Sequence, residues 1–127
     1  MPGYTAKQID EMEGAFGGGL KKARAELGVT SFGMQVVDLP PNYNDYPEHE
    51  HAEDGQEEVY SVIRGSGAIE VEGERVELTP DVLVRVGPGI KRKLFSGPEG
   101  MRVLALGGKP GSAYEIPEFT ELTAAGA

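Results

Sequence analysis

An all-β fold closed into a sandwich or small barrel is what this sequence predicts, and three observations carry that expectation. Short stretches alternate apolar and polar residues with a period of two, as strands with one buried face do. Turn residues punctuate them at intervals of about 8 to 12 residues. The 127-residue chain combines 19 Gly and 9 Pro with a hydrophobic share of 39%, which is too apolar for disorder and sized for one core.

The first 30 residues are the exception. Ile9, Met12, Phe16, Leu20 and Ala23 recur at steps of three and four, which places them on one helix face. Thr5 and Gln8 have the spacing of a capping box. The run Gly17, Gly18, Gly19 should split this helix and leave a second piece over residues 20–26, stopped by Gly28. The segment is expected to cover a face or an edge of the sheet.

The barrel itself is assigned to residues 31–108. From Phe32 the period changes: Met34, Val36 and Asp38 alternate with Gln35, Val37 and Leu39 until Pro40 and Pro41 end the strand. An ordered loop, PPNYNDYP, then delivers the chain to His49. Residues 57–63 alternate again, with Glu58, Tyr60 and Val62 on one face. Gly65 and Gly67 mark a tight corner before a further strand at 68–71. A turn near Glu72 and Gly73 makes a hairpin with residues 75–78. Thr79, Pro80 and Asp81 turn the chain into a strand at 82–86, which Gly87, Pro88 and Gly89 end. Residues 91–95 and 101–106 form a last pair joined by the loop SGPEG. Residues 109–127 read as an extended tail, with Tyr114, Ile116 and Phe119 available to pack along an edge.

Composition narrows the chemistry. With no cysteine, a disulfide framework, a thiolate nucleophile and a sulfur-ligated metal are excluded. A net charge of -9 opposes a sequence-independent grip on nucleic acid or on an anionic membrane. The N-terminus lacks the apolar stretch of a secretory signal, and no run has the length of a membrane span, so the expected location is the cytoplasm. Phosphate-cradling loops and serine triads have no match, since GGG and GSG lack the lysine and the strand-to-helix setting.

Both histidines of the chain, His49 and His51, lie in the stretch YPEHEHAEDGQEEVYSVIRGSG. In a strand, residues two apart point the same way, so both imidazoles can face one point. An antiparallel return through AEDGQ can bring the Glu58 carboxylate opposite them. Two imidazoles and a carboxylate suit Fe(II), Mn(II), Ni(II) or Zn(II) with open positions. On spacing alone, the same residues fit a solvated acidic loop with Glu48, Glu50, Glu53 and Asp54.

A family resemblance adds to this. HEHAEDGQEEVYSVIRGSG resembles the first motif of the cupins, His-x-His followed by Glu and, six residues later, Gly, here Gly65. TPDVLVRVGPGIKRKLF is similar to their second motif, in which a histidine follows a Pro-Gly strand end. Together the two span residues 46–95. The resemblance implies a double-stranded β-helix, or jelly-roll barrel, with a small-molecule site in its mouth. It implies a metal held by His49, His51 and Glu58, and a homodimer. The position of the fourth ligand falls on Arg92, which has no lone pair to offer a metal.

Arg92 therefore separates two functional readings. In the first, the triad holds a divalent metal for an oxygenase or isomerase type of reaction on a small metabolite, and Arg92 binds an acidic group of the substrate. In the second, the protein is a metal-free binding or sensory cupin in which Arg92 anchors an anionic ligand. Arg92 can also pair with Glu58, or turn outward beside Lys91 and Lys93. Tyr60 and Gln35 are candidates to hydrogen-bond a ligand, and Tyr43 and Tyr46 to cover the mouth.

Overall fold

A computed structural model describes residues 3–123. Seven strands and one short helix follow in the order β1 (Gly14–Ala15), β2 (Leu20–Lys21), α1 (Ala23–Leu27), β3 (Gly33–Leu39), β4 (Glu57–Val71), β5 (Glu74–Leu78), β6 (Leu83–Val86) and β7 (Arg92–Gly108). All pairings are antiparallel, in the order β1-β2-β3-β7-β4-β5, with β6 on the other side of the first half of β4. The expected all-β barrel is present. Among the described residues, no helix is long and apolar enough to cross a membrane.

Two long strands build the barrel where four short ones were expected. The corner assigned to Gly65 and Gly67 is a pair of register shifts inside β4, at Val62/Arg64 and Gly65/Gly67. SGPEG likewise lies within β7. A bulge bends a strand without ending its pairing, so β4 and β7 stay hydrogen-bonded from residue 57 opposite 108 to residue 71 opposite 92. Glycine is required at this bend. Gly65 has φ +80°, and a Cβ there would lie 2.2 Å from the Gly100 carbonyl oxygen; at Gly67 it would lie 2.1 Å from that of Phe95.

Alternation sorts the strands as read. Val37, Leu39, Tyr60, Val62, Ile69, Leu78, Val86, Leu94, Met101 and Val103 fill the barrel interior. Val36 faces outward from β3 into a smaller cluster with Met12 and Ala23, against which Ile9 and Leu27 pack.

The N-terminal helix expected over residues 5–26 is mostly absent. Its place is taken by one-turn 3-10 segments at Ile9–Glu11 and Phe16–Gly18, the short β1 and β2, and the five-residue α1. Gln8 caps the first turn without a side-chain hydrogen bond, so the capping box is not formed. Gly17 and Gly18, at φ +70° and +93°, interrupt the helical spacing. β2 pairs with β3 instead, along that edge of the sheet. Met12 and Ala23 still bury and Ile9 packs against them partly buried, while Phe16 is left 79% exposed. The tail closes over this region: Lys22 Nζ donates to the Glu121 carbonyl at 2.8 Å, and Arg24 pairs with the Glu121 carboxylate at 3.1 Å.

Candidate metal centre

The histidine segment runs extended beside the start of β7, not beside β4. His49 and Arg92 exchange both backbone hydrogen bonds, at 3.0 and 2.9 Å, and the His51 amide donates to the Pro88 carbonyl at 2.6 Å. Glu58 comes from the first turn of barrel on β4, where it pairs with Val86 and Gly107. A side chain on Gly107 would strike Gln56 at 2.8 Å and Glu58 at 3.4 Å, so the glycine leaves room for the carboxylate.

These elements bring the three expected ligands together. One ligand atom from each of His49, His51 and Glu58 lies within 4.8 Å of the others. His49 Nε2 is 3.6 Å and His51 Nε2 is 3.3 Å from Glu58 Oε1. Donors bound at about 2.1 Å to a tetrahedral ion stand roughly 3.4 Å apart, so both separations suit a shared cation.

The other ring nitrogens are already used. His51 Nδ1 faces both Asp54 carboxylate oxygens at 3.0 and 3.1 Å, and His49 Nδ1 faces the Pro47 carbonyl at 3.5 Å. Only acceptors surround these atoms, so Nδ1 carries the proton in the neutral ring and Nε2 presents a lone pair. His51 Nε2 is buried without a hydrogen-bond partner. Two lone pairs and a carboxylate oxygen thus converge with no donor between the neutral rings, which is an arrangement that calls for a cation or a proton. Backing of an imidazole by a carboxylate is also how metal-bound histidines are oriented.

Arg92 lies behind the carboxylate. It is 0% exposed, donates from Nη1 to Glu58 Oε1 at 2.9 Å and from Nη2 to the Gly87 carbonyl at 2.6 Å, and leaves Nε buried without a partner. Of the placements open to it in the sequence, the pair with Glu58 is the one formed, and the surface placement beside Lys91 and Lys93 is not. A direct clamp on a ligand would require the guanidinium to leave both partners. Tyr60 donates to the same Glu58 oxygen at 2.5 Å.

The electrostatics follow from this crowding. Burial alone would raise the Glu58 pKa, but the His49 and His51 rings, which donate to it when protonated at Nε2, and the Tyr60 hydroxyl hold it well below the usual carboxylate value. The hydrogen bond that a protonated His51 makes to Glu58, opposed by burial and helped by Asp54, raises the pKa of His51. Burial and the neighbouring Glu58 charge keep the Tyr60 hydroxyl protonated far above its ordinary pKa. Burial, with the same charge, also raises Tyr46.

A cavity of about 1430 Å³ opens onto the triad. Val37, Met101 and Ala105 give it apolar wall, Tyr43 and Tyr46 line it from the 40–47 loop, and Gln35 and Tyr60 also face it. Gln35 and Tyr60 sit in one row, both opposite Ala105. Once its amide is turned to fit its neighbours, Gln35 donates to the Lys21 and Met34 carbonyls at 2.8 and 3.1 Å. The Tyr46 ring meets His49 edge-on at 6.4 Å between centroids. Asp54 escaped the sequence reading as anything but a loop acid; its position three residues after His51 was the available signal.

No protein-family model and no curated sequence matches the chain. Solved structures do. A cupin protein from Bacteroides fragilis superposes with a TM-score of 0.70 at 21% identity, over 97% of this chain and 98% of its own. A Photorhabdus luminescens protein gives 0.64 at 16%, over 87% and 90%. A predicted oxalate decarboxylase from Thermotoga maritima gives 0.54 at 20%, over 61% and 66%. The barrel is a cupin fold.

Proposed function

From a cupin fold with this triad at its mouth, we propose that the protein binds a divalent metal through His49, His51 and Glu58 and acts on a small metabolite bound at the metal's open positions. The observation that carries this reading is the convergence of two imidazole lone pairs on a carboxylate oxygen, with both Nδ1 atoms backed by acceptors. Nitrogen and oxygen donors of this kind suit Fe(II), Mn(II), Ni(II) or Zn(II).

When bound, the metal would supply Lewis acidity or oxygen activation, consistent with an isomerase or oxygenase type of reaction. The chain's own residues do the rest. Asp54 fixes the His51 ring, and Tyr60 and Arg92 hold Glu58 in one orientation. Tyr60 and Gln35 offer polar contacts on the cavity wall, while Tyr43, Tyr46 and Met101 exclude water. The metal-free reading has less support, because the guanidinium it relies on is buried and engaged.

Metal analysis of protein purified without chelator tests the proposal. Close to one equivalent is expected in the native chain and none in the His49→Ala, His51→Ala double variant. Equal metal content in the two would remove the site.

A further inference from the structure

Arg92 places a permanent positive charge under the centre. Its Nη1 is 2.9 Å from Glu58 Oε1, hence within about 5 Å of any ion bound to that oxygen at an ordinary 2.1 Å. The group is wholly buried and does not border the cavity, so it contributes charge without contact. With neutral histidines, the charges of Glu58 and Arg92 cancel, and the further carboxylate at the centre, Asp54, stands 3.0 Å behind His51 Nδ1 with its side chain 47% exposed, where water and salt screen it.

We propose that Arg92, by cancelling the charge of Glu58 from behind, leaves a bound divalent ion with both of its charges, and so selects a chelating dianion as the ligand of the open positions. The inference rests on the reading of the triad as a metal centre and names its ligand class: a dicarboxylate, or a molecule that sheds two protons on binding. Without the arginine, the centre would carry one net charge and a monoanion would neutralise it. With it, only a second negative charge does, and in a partly buried site that residual charge is poorly screened. The other arginine on β7, Arg102, is tied to Asp38 and Asp10 and offers no competing anchor. Asp45 and Glu99 border the cavity as well, but both are exposed, where water and salt weaken their repulsion of an anion.

The same charge has a second consequence of opposite sign. Arg92 repels the metal it stands behind, so removing it should tighten metal binding, whereas a residue of merely structural value would loosen it when removed.

The test uses zinc-loaded protein and two small chelators of similar shape, oxalate and glycolate, titrated calorimetrically at neutral pH. For the native chain, the oxalate-to-glycolate affinity ratio should exceed that of aqueous zinc in the same buffer by tenfold or more. In Arg92→Met that excess should vanish while zinc affinity rises at least tenfold, and Arg92→Lys should keep most of the excess. A native ratio no greater than that of aqueous zinc overturns the proposal without any variant, and so does an excess that survives in Arg92→Met. Should Arg92→Met not fold, the native ratio and Arg92→Lys decide. If the native chain takes up no zinc, iron, manganese or nickel, the metal reading itself fails, and this inference with it. Stoichiometric metal with no dianion excess sinks the inference alone.

Discussion

Arg92 and Arg102 lie ten residues apart on β7, and an even separation would put both on one face of an uninterrupted strand. They face opposite ways. Arg92 points into the barrel, 0% exposed, and Arg102 points out beneath the N-terminal segment, 7% exposed. Each sits on carboxylates, yet the two clusters differ in composition. Arg102 holds Asp38 through Nε and Nη2, at 2.7 and 3.1 Å, and Asp10 as well. Two carboxylates around one guanidinium saturate each other, and the result fastens the N-terminus to the sheet. Arg92 shares its single carboxylate with Tyr60 and two imidazoles. Lone pairs there exceed donors, so the same kind of ion pair forms the back wall of the candidate cation site. What distinguishes a staple from a centre is the balance of donors and acceptors, not the presence of charge.

That contrast can be broken most forcefully at Arg92. In chelator, Arg92→Met strands a buried carboxylate and is expected to cost on the order of 3 kcal/mol or more in urea unfolding. Zinc should restore much of it by binding only the folded chain. The comparison sharpens at Asp54, whose removal tests the imidazole's backing: Asp54→Asn should weaken metal binding roughly ten- to a hundredfold while leaving metal-free stability almost unchanged. Arg102→Met should cost about 2 kcal/mol, the range of hydrogen bonds to charged groups, and zinc should not recover any of it. Recovery by zinc equal to that of Arg92→Met would erase the distinction.

The smallest effect expected is that of pH. The pKa of His51 is raised in the folded chain by Glu58, against burial, and by Asp54. A raised folded value stabilises the metal-free chain fully below the unfolded value of about 6.5, and that contribution fades as pH climbs through the folded value. Zinc competes with the same proton. The gap in melting temperature between zinc and chelator should therefore widen as pH rises above about 6.5. A constant gap from pH 6 to 9 would mean that His51 is not a ligand.

The sequence read the strand faces correctly, because period-two alternation survives any tertiary arrangement that buries one side. Tyr60 and Val62 face inward as their spacing required, and Glu58 shares that side. The N-terminus misled for a related reason. Met12 and Ala23 do bury and Ile9 packs partly buried against them, but spacing in threes and fours is also compatible with irregular chain that touches the sheet at intervals. Three consecutive glycines and an available edge on β3 favoured short strands over a helix. Seen from the sequence, Gly65 and Gly67 looked like an end, since a bulge and a turn use the same residues.

By itself, the sequence pointed to an all-β barrel without thiol chemistry, acidic overall, and its resemblance to the cupins singled out His49, His51 and Glu58 as candidate ligands. The first three depend on composition and on spacing over a few positions, the last on two motifs that together span residues 46–95. Only the tertiary structure decided what stands around that set. The side of the sheet that Arg92 takes depends on how the chain passes residues 96 to 101 of β7, where Ser96 is paired opposite Gly67 and Met101 opposite Gly65. Its partner Glu58 is 34 residues away on another strand. Charge cancellation between two such residues depends on a few ångströms of separation, a distance set by barrel closure and not by any local pattern.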